Sequence, residues 1–275
     1  VKLENICKNR IQMKKYLLCL LALFLACSAY SIETNNLKYI GMPVGGICTG
    51  QVYLGGDGQL WYWDIFNMQR INPGGPGDKF YLNPMVQDKR FNQGFALRVK
   101  GKITPITKAL RTGGFRDISF HGQYPVGNVN YKEDGFPLEV NLKAFSPFIP
   151  SDHENSGFPA VVLEYTIRNN GNEIVEAELI GWLQNTANLF TGNGIPGQHI
   201  NQLVQADGKL QLVCRSEGEN ISDLPDFGNM TLTLLDAENA WATPQTYADI
   251  DYNLDEVGAA KETEAKIALG QNLTG

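Results

Sequence analysis

Alternation of apolar and polar residues with a period of two recurs along this chain, whereas long stretches with the 3.6-residue period of a helix are absent. Residues 138–144 (L-E-V-N-L-K-A) are the clearest case, and residues 161–167 repeat the pattern. Because successive side chains of a strand point to opposite faces, this alternation is typical of a half-buried strand. Turns rich in glycine, proline and asparagine separate these segments. We therefore predict an all-β fold, an antiparallel β-sandwich of two sheets.

Residues 46–66 predict a β-hairpin. Residues 46–54 alternate and form the first predicted strand, and residues 59–66 run back as the second. Between them, the turn G-G-D-G at residues 55–58 supplies the positive φ angles that a tight reversal needs. The second strand is rich in aromatic residues, which suit a pleated, half-buried surface: Trp61, Tyr62, Trp63 and Phe66.

Three further reversals are predicted along the chain. Asp134-Gly135 turns one strand into the next, residues 169–172 (N-N-G-N) reverse the strand at 161–167 into residues 173–183, and Asp207-Gly208 joins two short strands. Residues 230–235 form another predicted strand. One short helix is predicted at residues 258–268, where alanine, glutamate and lysine are dense.

The N-terminal residues predict export. From Met13 the chain has two lysines, an apolar stretch at residues 16–26 and then small residues, as in a secretory signal. That stretch is shorter than the roughly 20 residues that a membrane span needs. Two processing sites compete: a loose lipobox that would leave Cys27 as a lipid anchor, and a small-x-small peptidase site at residues 29–31. We therefore expect residues 1–31 to be a leader and signal peptide. The rest of the chain is then exported, as a periplasmic protein, a secreted protein or an outer-membrane lipoprotein.

Net charge limits the classes of partner that we expect, and the cysteine count limits the possible disulfides. The leader has five basic residues and one acid, so the remainder carries a net charge of −10, against −6 for the whole chain. Nucleic acids and anionic membrane surfaces attract basic patches, so we expect neither as a partner. Outside the leader the cysteines are Cys48 and Cys214. Both lie in predicted apolar strands, and either two buried thiols or one disulfide fits them.

Four other patterns have more ordinary explanations than the sites that they resemble. The G-x-G-x-x-G at residues 192–197 contains Pro196 and precedes no helical pattern, so we interpret it as loop glycines. Residues 249–255 have alternate oxygen ligands but lack the glycine and glutamate of a calcium loop, which favours a solvated acidic loop. Asp152 and Glu154 are paired carboxylates that could in principle do acid–base work, but two residues apart in a polar loop they are more often solvated. The histidines lack zinc-ligand spacing, so we expect neither a metal nor a cofactor.

The order of several segments resembles the N-terminal domain of glycoside hydrolase family 116, which includes bacterial β-glucosidases and non-lysosomal glucosylceramidases. The strongest similarity lies in residues 41–67 (G-M-P-V-G-G-I-C-T-G-Q-V-Y-L-G-G-D-G-Q-L-W-Y-W-D-I-F-N) and residues 140–150 (V-N-L-K-A-F-S-P-F-I-P). Further landmarks are residues 120–125 (F-H-G-Q-Y-P), 156–169, 182–185 (W-L-Q-N) and 269–275. The resemblance covers roughly residues 40–275 and is thin between residues 188 and 264.

The resemblance implies that residues 32–275 are the non-catalytic N-terminal β-sandwich of a retaining β-glucosidase, incomplete at its C-terminal end. The family's catalytic glutamate and aspartate lie on an α-helical toroid that has no counterpart in these residues. A retaining glycosidase needs two carboxyl groups roughly 5–5.5 Å apart, so we expect no catalytic residue here. The implied partners are that toroid and a β-glucoside substrate. The alternatives are a freestanding carbohydrate-binding module or lipoprotein, and a generic adhesive sandwich.

The hairpin carries the candidate site residues. We hypothesise that part of it faces the toroid near the substrate cleft, which makes Trp63, Asp64 and Asn67 substrate-adjacent. Trp61 and Trp63 share one side of a strand and offer rings on which a sugar could stack, but tryptophan in a sandwich more often fills the core. The sequence departs from the family at Trp61-Tyr62, where many members have Arg-Asp, and it fits the pattern at Trp63.

Overall fold

The computed structural model describes residues 34–65, 93–101, 105–188, 198–238, 240–243 and 266–274, all within the unit formed by residues 32–275. For some strand residues, including Asp64 and residues 266–274, only the backbone is described. The predicted leader with Cys27, the glycine loop at 192–197 and the acidic loop at 249–255 lie outside the described residues.

The described residues form fifteen strands and little helix. The first eight strands are β1 (Gly41–Val44), β2 (Gln51–Gly55), β3 (Leu60–Asp64), β4 (Gln93–Val99), β5 (Ile106–Ala109), β6 (Asp117–Gln123), β7 (Val126–Lys132) and β8 (Leu138–Phe145). The remaining strands are β9 (Val162–Asn169), β10 (Glu176–Gln184), β11 (Gln198–Ala206), β12 (Lys209–Glu217), β13 (Asn229–Leu234), β14 (Ala240–Thr243) and β15 (Lys266–Thr274). Helix α1 (His153–Ser156) is a single turn, and two 3₁₀ segments span Thr34–Tyr39 and Ile221–Asp223. No helix in the described part of the chain has the length and apolar character needed to cross a membrane.

The strands belong to four antiparallel sheets, which confirms the prediction of an all-β sandwich. The sheets have the strand orders β1-β2-β3, β6-β7-β8-β9, β14-β15-β10-β4-β5 and β11-β12-β13. Three of the predicted turns are also confirmed: Asp134-Gly135 connects β7 to β8, Asp207-Gly208 connects β11 to β12, and the turn at residues 55–58 connects β2 to β3. At the second turn both residues have left-handed backbone angles, with φ of 52° and 71°, which aspartate and glycine tolerate.

Alternation along the strands builds the larger core. In β8 every second residue is buried, from Leu138 to Ala144, and the intervening residues are half-exposed. These side chains join a cluster that extends from β1–β3 through β4 and β6–β8. A smaller cluster joins Leu183 of β10 to residues of β12 and β13. Each fully buried aliphatic side chain contributes about 1.5–3 kcal/mol, so these two clusters are the main source of stability.

The first predicted strand begins later than its alternation suggests. Residues 46–50 form a loop, and β1 occupies the edge of β2 instead. The amide of Ile47 donates to the carbonyl of Ser156 at 2.8 Å rather than to a neighbouring strand. Cys48 has a left-handed φ of 61° and is exposed, so the prediction of a buried thiol in a strand is wrong for this residue.

The predicted reversal at residues 169–172 does not form a hairpin. Strand β9 pairs with β8, whereas β10 pairs with β4 on one side and with β15 on the other. Because both edges of β10 are occupied, none is left for β9, and residues 170–175 instead carry the chain from one sheet to another. The amide of Asn170 donates to the carbonyl of Pro137 at 2.9 Å and fixes the start of this crossing.

The predicted helix at residues 258–268 is contradicted at its C-terminal end. Lys266, Ile267 and Ala268 belong to β15, and residues 258–265 lie outside the described residues. Strand β15 forms continuous antiparallel ladders with β10 and with β14. Backbone pairing on both edges outweighs the local helical preference of alanine and lysine, which amounts to only a few tenths of a kcal/mol, about 0–0.7, per residue.

Candidate functional site

Trp63 is the predicted site residue whose surroundings the structure defines. It lies in β3, is half-buried, and its indole Nε1 donates to the carbonyl oxygen of Leu60 at 3.3 Å. The ring packs against both hydrophobic clusters. Asp64 ends β3, and its backbone pairs with Gln51, but its side chain and the whole of Asn67 lie outside the described residues. The substrate-adjacent role of these three residues therefore stays a prediction.

Trp61 belongs to the core, as the more ordinary interpretation of the aromatic hairpin predicted. It is buried and lies opposite Tyr53 of β2. A Cβ atom on Gly55 would lie 2.2 Å from the Trp61 Nε1, so only glycine leaves room for the indole at the end of β2. This ring is therefore not available to stack on a sugar.

A cavity of about 1160 Å³ lies next to Trp63, between β9, β10 and β13. Its walls are mostly apolar, with the aromatic rings of Phe95, Tyr165 and Trp182 among them. The Phe95 and Tyr165 rings are 5.1 Å apart between centroids, and burial raises the pKa of Tyr165 so that its phenol stays protonated. Ligand pockets are typically concave and mainly apolar, with volumes of about 300–1,000 Å³, so this cavity has their character and is somewhat larger.

The described lining residues of the cavity include no constellation suited to glycoside hydrolysis. Among its described lining residues Asp236 is the only acid, whereas a retaining glycosidase needs a pair of carboxyl groups roughly 5–5.5 Å apart. The polar lining consists mainly of neutral amides and hydroxyls. One of them, Gln93, is already engaged, because its Nε2 donates to the carbonyl of Leu60 at 2.9 Å. The arrangement can hold or exclude apolar groups but has no acid–base pair.

A buried carboxylate fixes the hairpin that presents Trp63. Asp57 lies in the turn between β2 and β3 and is fully buried. Its carboxylate accepts from the Gln59 Nε2 at 2.9 Å and from the Thr112 amide at 3.2 Å, and its carbonyl accepts from the Tyr131 hydroxyl at 2.9 Å. Burial is the main cause of the raised Tyr131 pKa. The sequence identified Asp57 only as a turn residue, because partners 55 and 74 positions away leave no local pattern.

A second polar cluster follows β10 and was not predicted. Asn185 is buried, and its Nδ2 donates to the carbonyls of Ile200 at 3.2 Å and Arg215 at 3.0 Å. Asn188 has a left-handed φ of 58° and accepts a short hydrogen bond from the Ser216 hydroxyl. Buried amides that satisfy backbone carbonyls fix one register, so the cluster ties β10 to the sheet of β11–β13. The only sequence sign is that two amides follow directly on an apolar run.

The other polar candidates have structural surroundings. The Asp152 carboxylate accepts from the Asn155 amide at 3.0 Å and caps α1, and the Asn155 side-chain amide lowers the pKa of Asp152. The His199 Nε2 lies 2.8 Å from the carbonyl of Ala187. In the described part of the chain no three histidine, cysteine or acidic residues come together as a metal site requires. Acid–base work by Asp152 with Glu154 has no support from this geometry.

Cys48 and Cys214 are both free thiols, so the disulfide that the sequence allowed is not formed. Cys48 is exposed in the loop before β2. Cys214 is buried in β12, and burial raises its pKa to about 12. A protonated buried thiol is unreactive, so Cys214 serves as a small apolar core residue.

Comparison with known families accounts for most of the chain. The family described as "beta-glucosidase 2, glycosyl-hydrolase family 116 N-term" matches residues 41–264. The match begins at β1, runs through the hairpin with Asp57 and Trp63, and includes the cluster after β10. It spans well over half of the sequence. The chain therefore belongs to glycoside hydrolase family 116, as an N-terminal domain of that family.

Proposed function

We propose that the chain is the non-catalytic N-terminal β-sandwich of a β-glucosidase or glucosylceramidase, which packs on a catalytic α-helical toroid and shapes its cleft. The family match over residues 41–264 carries the proposal, because an N-terminal domain of this family implies a catalytic domain in the same chain. The described acids support a non-catalytic role. Asp57 and Asp152 accept hydrogen bonds that fix a turn and a helix end, and Asp236 is the sole described acid lining the cavity.

The cleft-shaping part of the proposal rests on β3. This strand ends at Asp64, and its preceding turn is held by the buried Asp57, so that Trp63 has a defined position beside the cavity. A rigid strand positions a wall of a substrate cleft better than a loop does. In this proposal the part of the hairpin around Trp63, Asp64 and Asn67 lies near the substrate and contributes to binding without taking part in bond cleavage.

The direct test compares two purified proteins. The 275-residue chain should leave a chromogenic β-glucoside intact, whereas the longer gene product with its catalytic domain should hydrolyse it. Steady sugar release by the 275-residue chain, free of contaminating glucosidase, would show that its own residues are catalytic and would overturn the proposal. A longer product without activity on any β-glucoside would overturn the assignment of activity.

The role of Trp63 is tested in the active enzyme. Replacing Trp63 with alanine removes a packed side chain and costs about 3–5 kcal/mol, so Trp63→Phe is the more informative variant. We expect Trp63→Phe to lower kcat/KM for the glucoside while cooperative unfolding persists. Ile174→Ala, at a residue that is 81% exposed, is the matched control and should leave kcat/KM and the unfolding transition unchanged. Wild-type kinetics in Trp63→Phe would contradict the cleft-shaping role.

Export is part of the proposal, with residues 1–31 as signal peptide and either a free N-terminus or a lipid-anchored Cys27. Mass spectrometry of the mature N-terminus from the native host distinguishes these forms. The alternative function is a freestanding carbohydrate-binding module. Retention of the monomeric 275-residue chain on a glucan affinity gel would favour that module, and free passage through the gel would favour the enzyme domain.

A further inference from the structure

Five large apolar side chains are exposed at one end of the four-stranded sheet. We call this set the apolar end: Ile47, Tyr124, Phe148, Ile149 and Phe158. Their exposed fractions lie between 45% and 61%. Single exposed apolar residues are common and need no explanation. Five that lie together do, because monomeric proteins seldom group such side chains without an interaction partner.

Strand register shows why these side chains meet. Gln123 pairs with Val126 across the β6–β7 turn, Val126 pairs with Phe145, and Phe145 pairs with Val162. The β6–β7 turn and the β8–β9 connection therefore lie at the same end of the sheet. The loop at residues 46–50 joins them through the 2.8 Å bond from the Ile47 amide to the carbonyl of Ser156.

A direct ring contact joins the β6–β7 turn to the β8–β9 connection. The Tyr124 and Phe148 rings are 6.0 Å apart between centroids and meet edge to face, at an interplanar angle of 66°. Ile149 follows Phe148 in the chain, and Phe158 lies on the same β8–β9 connection. Three separate loops thus place exposed apolar side chains at the same end of the sheet.

Hydrogen bonds hold these loops in place. The buried Ser156 hydroxyl accepts from the Ile149 amide at 2.8 Å and donates to the Ile149 carbonyl at 3.1 Å. Asp152 caps α1 through the Asn155 amide. A Cβ atom on Gly46 would lie 2.1 Å from the Phe158 carbonyl oxygen, so the two backbones are in direct contact. The fold therefore presents these apolar side chains on fixed backbone rather than burying them.

The size of the apolar end matches a functional patch. An aromatic side chain has about 150–250 Å² of surface, and about half of each is exposed here. Together with the two isoleucines, these side chains expose a summed area of roughly 400–500 Å², which is comparable to the largest patch of a typical monomer, roughly 300–600 Å². Such a patch is more often an interaction site than an incidental feature of the surface.

We propose that the apolar end is the surface on which the catalytic domain of the same enzyme docks. This inference rests on the proposed function, since the family match implies that domain. The composition favours a protein partner over a sugar. The two isoleucines offer no flat ring, and the edge-to-face packing of Tyr124 and Phe148 prevents the coplanar platform that a sugar chain stacks on. Aromatic residues are, in contrast, enriched in the buried centres of protein interfaces.

The structure provides its own reporter in Cys48, an exposed free thiol next to Ile47. Maleimide labelling, read residue by residue by mass spectrometry, is performed on the 275-residue chain and on the full-length enzyme. We expect labelling of Cys48 to slow by about tenfold or more in the full-length enzyme, because reaction must then await opening of the interface. The buried Cys214 serves as internal control and should label slowly in both. Equal rates at Cys48 would overturn the inference.

Variants of the full-length enzyme provide a second test by the same labelling experiment. Phe148→Asp should restore rapid labelling of Cys48, since a charge in an apolar interface disfavours docking. Ile174→Asp, at an exposed apolar residue on the β9–β10 crossing, should leave the protection intact. If Cys48 still labels slowly in Phe148→Asp, the inference is overturned. It is also overturned if slow labelling of Cys48 disappears when the wild-type enzyme is diluted, because a second copy of the enzyme then covers the thiol. Glucosidase activity is measured in parallel: activity without protection refutes only the docking surface, whereas absence of activity refutes the proposed function.

Discussion

Removal of one buried hydroxyl group tests how the hairpin is held on the sandwich. The Tyr131 hydroxyl donates to the Asp57 carbonyl at 2.9 Å, and Tyr131 is fully buried. Tyr131→Phe keeps the ring, which packs 5.6 Å from Phe115 between centroids, and removes only the donor. A buried carbonyl left without its partner costs about 1–3 kcal/mol. For a domain of this size, 1 kcal/mol shifts the Tm by about 2–4 °C, so we expect the Tm to fall by about 2–12 °C.

Chemical denaturation of the 275-residue chain measures this cost as a change in the free energy of unfolding. Tyr124→Phe is the matched control, because the Tyr124 side chain is mostly in solvent and its loss of a hydroxyl should change stability by less than about 0.5 kcal/mol. A Tyr131→Phe variant as stable as wild type would refute the argument that the Asp57 carbonyl depends on this bond.

A second substitution sharpens the same test. A Cβ atom on Gly58 would lie 1.8 Å from the Tyr131 hydroxyl oxygen and 3.1 Å from the ring carbon that bears it. Gly58→Ala should therefore destabilise the wild type more than it destabilises Tyr131→Phe, in which the clashing oxygen is gone. The strain of a φ of +85° is common to both backgrounds and cancels in the double-mutant cycle. Equal costs in the two backgrounds would show that the two groups do not meet.

Further predictions concern titration and close packing. Burial raises the Cys214 pKa from 9.0 to about 12, so the thiol loses its proton at a lower pH in the unfolded chain than in the folded one. The free energy of unfolding should therefore fall as pH rises from about 9 towards 12. Cys214→Ala should remove this fall from a plot of denaturation free energy against pH. A hydrogen bond from the Lys132 side chain lowers the Glu139 pKa, so Lys132→Ala should raise that pKa towards its ordinary value in an NMR titration. The pair stabilises the fold only above the carboxyl pKa, and its loss should change the free energy of unfolding by about 1 kcal/mol or less. Gly46→Ala should destabilise by about 1–3 kcal/mol in urea unfolding, because its methyl group would meet the Phe158 carbonyl; wild-type stability would refute that contact.

The sequence predicts this fold best where one strand pairs with its chain neighbour. Residues 138–144 alternate cleanly and lie in β8, and the Asp-Gly turns connect the strands on either side. It fails where pairing is distant. The N-N-G-N turn suggested a hairpin, but β10 pairs with β4 and β15, and residues 266–268 join a strand instead of a helix. Local propensity does not report a partner strand that is far away in the chain.

At the candidate site, too, the sequence predicts local features and misses contacts between distant residues. The position of Trp63 on a strand follows from the hairpin pattern, and its half-buried packing follows from the size of the ring. The polar group that holds this hairpin was not predictable, since Asp57 finds Thr112 and Tyr131 only after folding. The apolar end was equally hidden, because exposure of Phe148 depends on loops that converge in space and not in sequence.

The pairing of β10 has a consequence for synthesis on the ribosome. One edge of β10 is covered by β4, which is translated earlier, and the other is covered by β15, whose last residue is Thr274. Until residues 266–274 have emerged, the nascent chain displays an open row of amide and carbonyl groups along β10. Such an edge recruits strands from other molecules. A stall that occurs after β10 has emerged from the ribosome and before β15 has emerged should therefore favour aggregation, and a helper protein that binds extended segments would act on the chain at this stage.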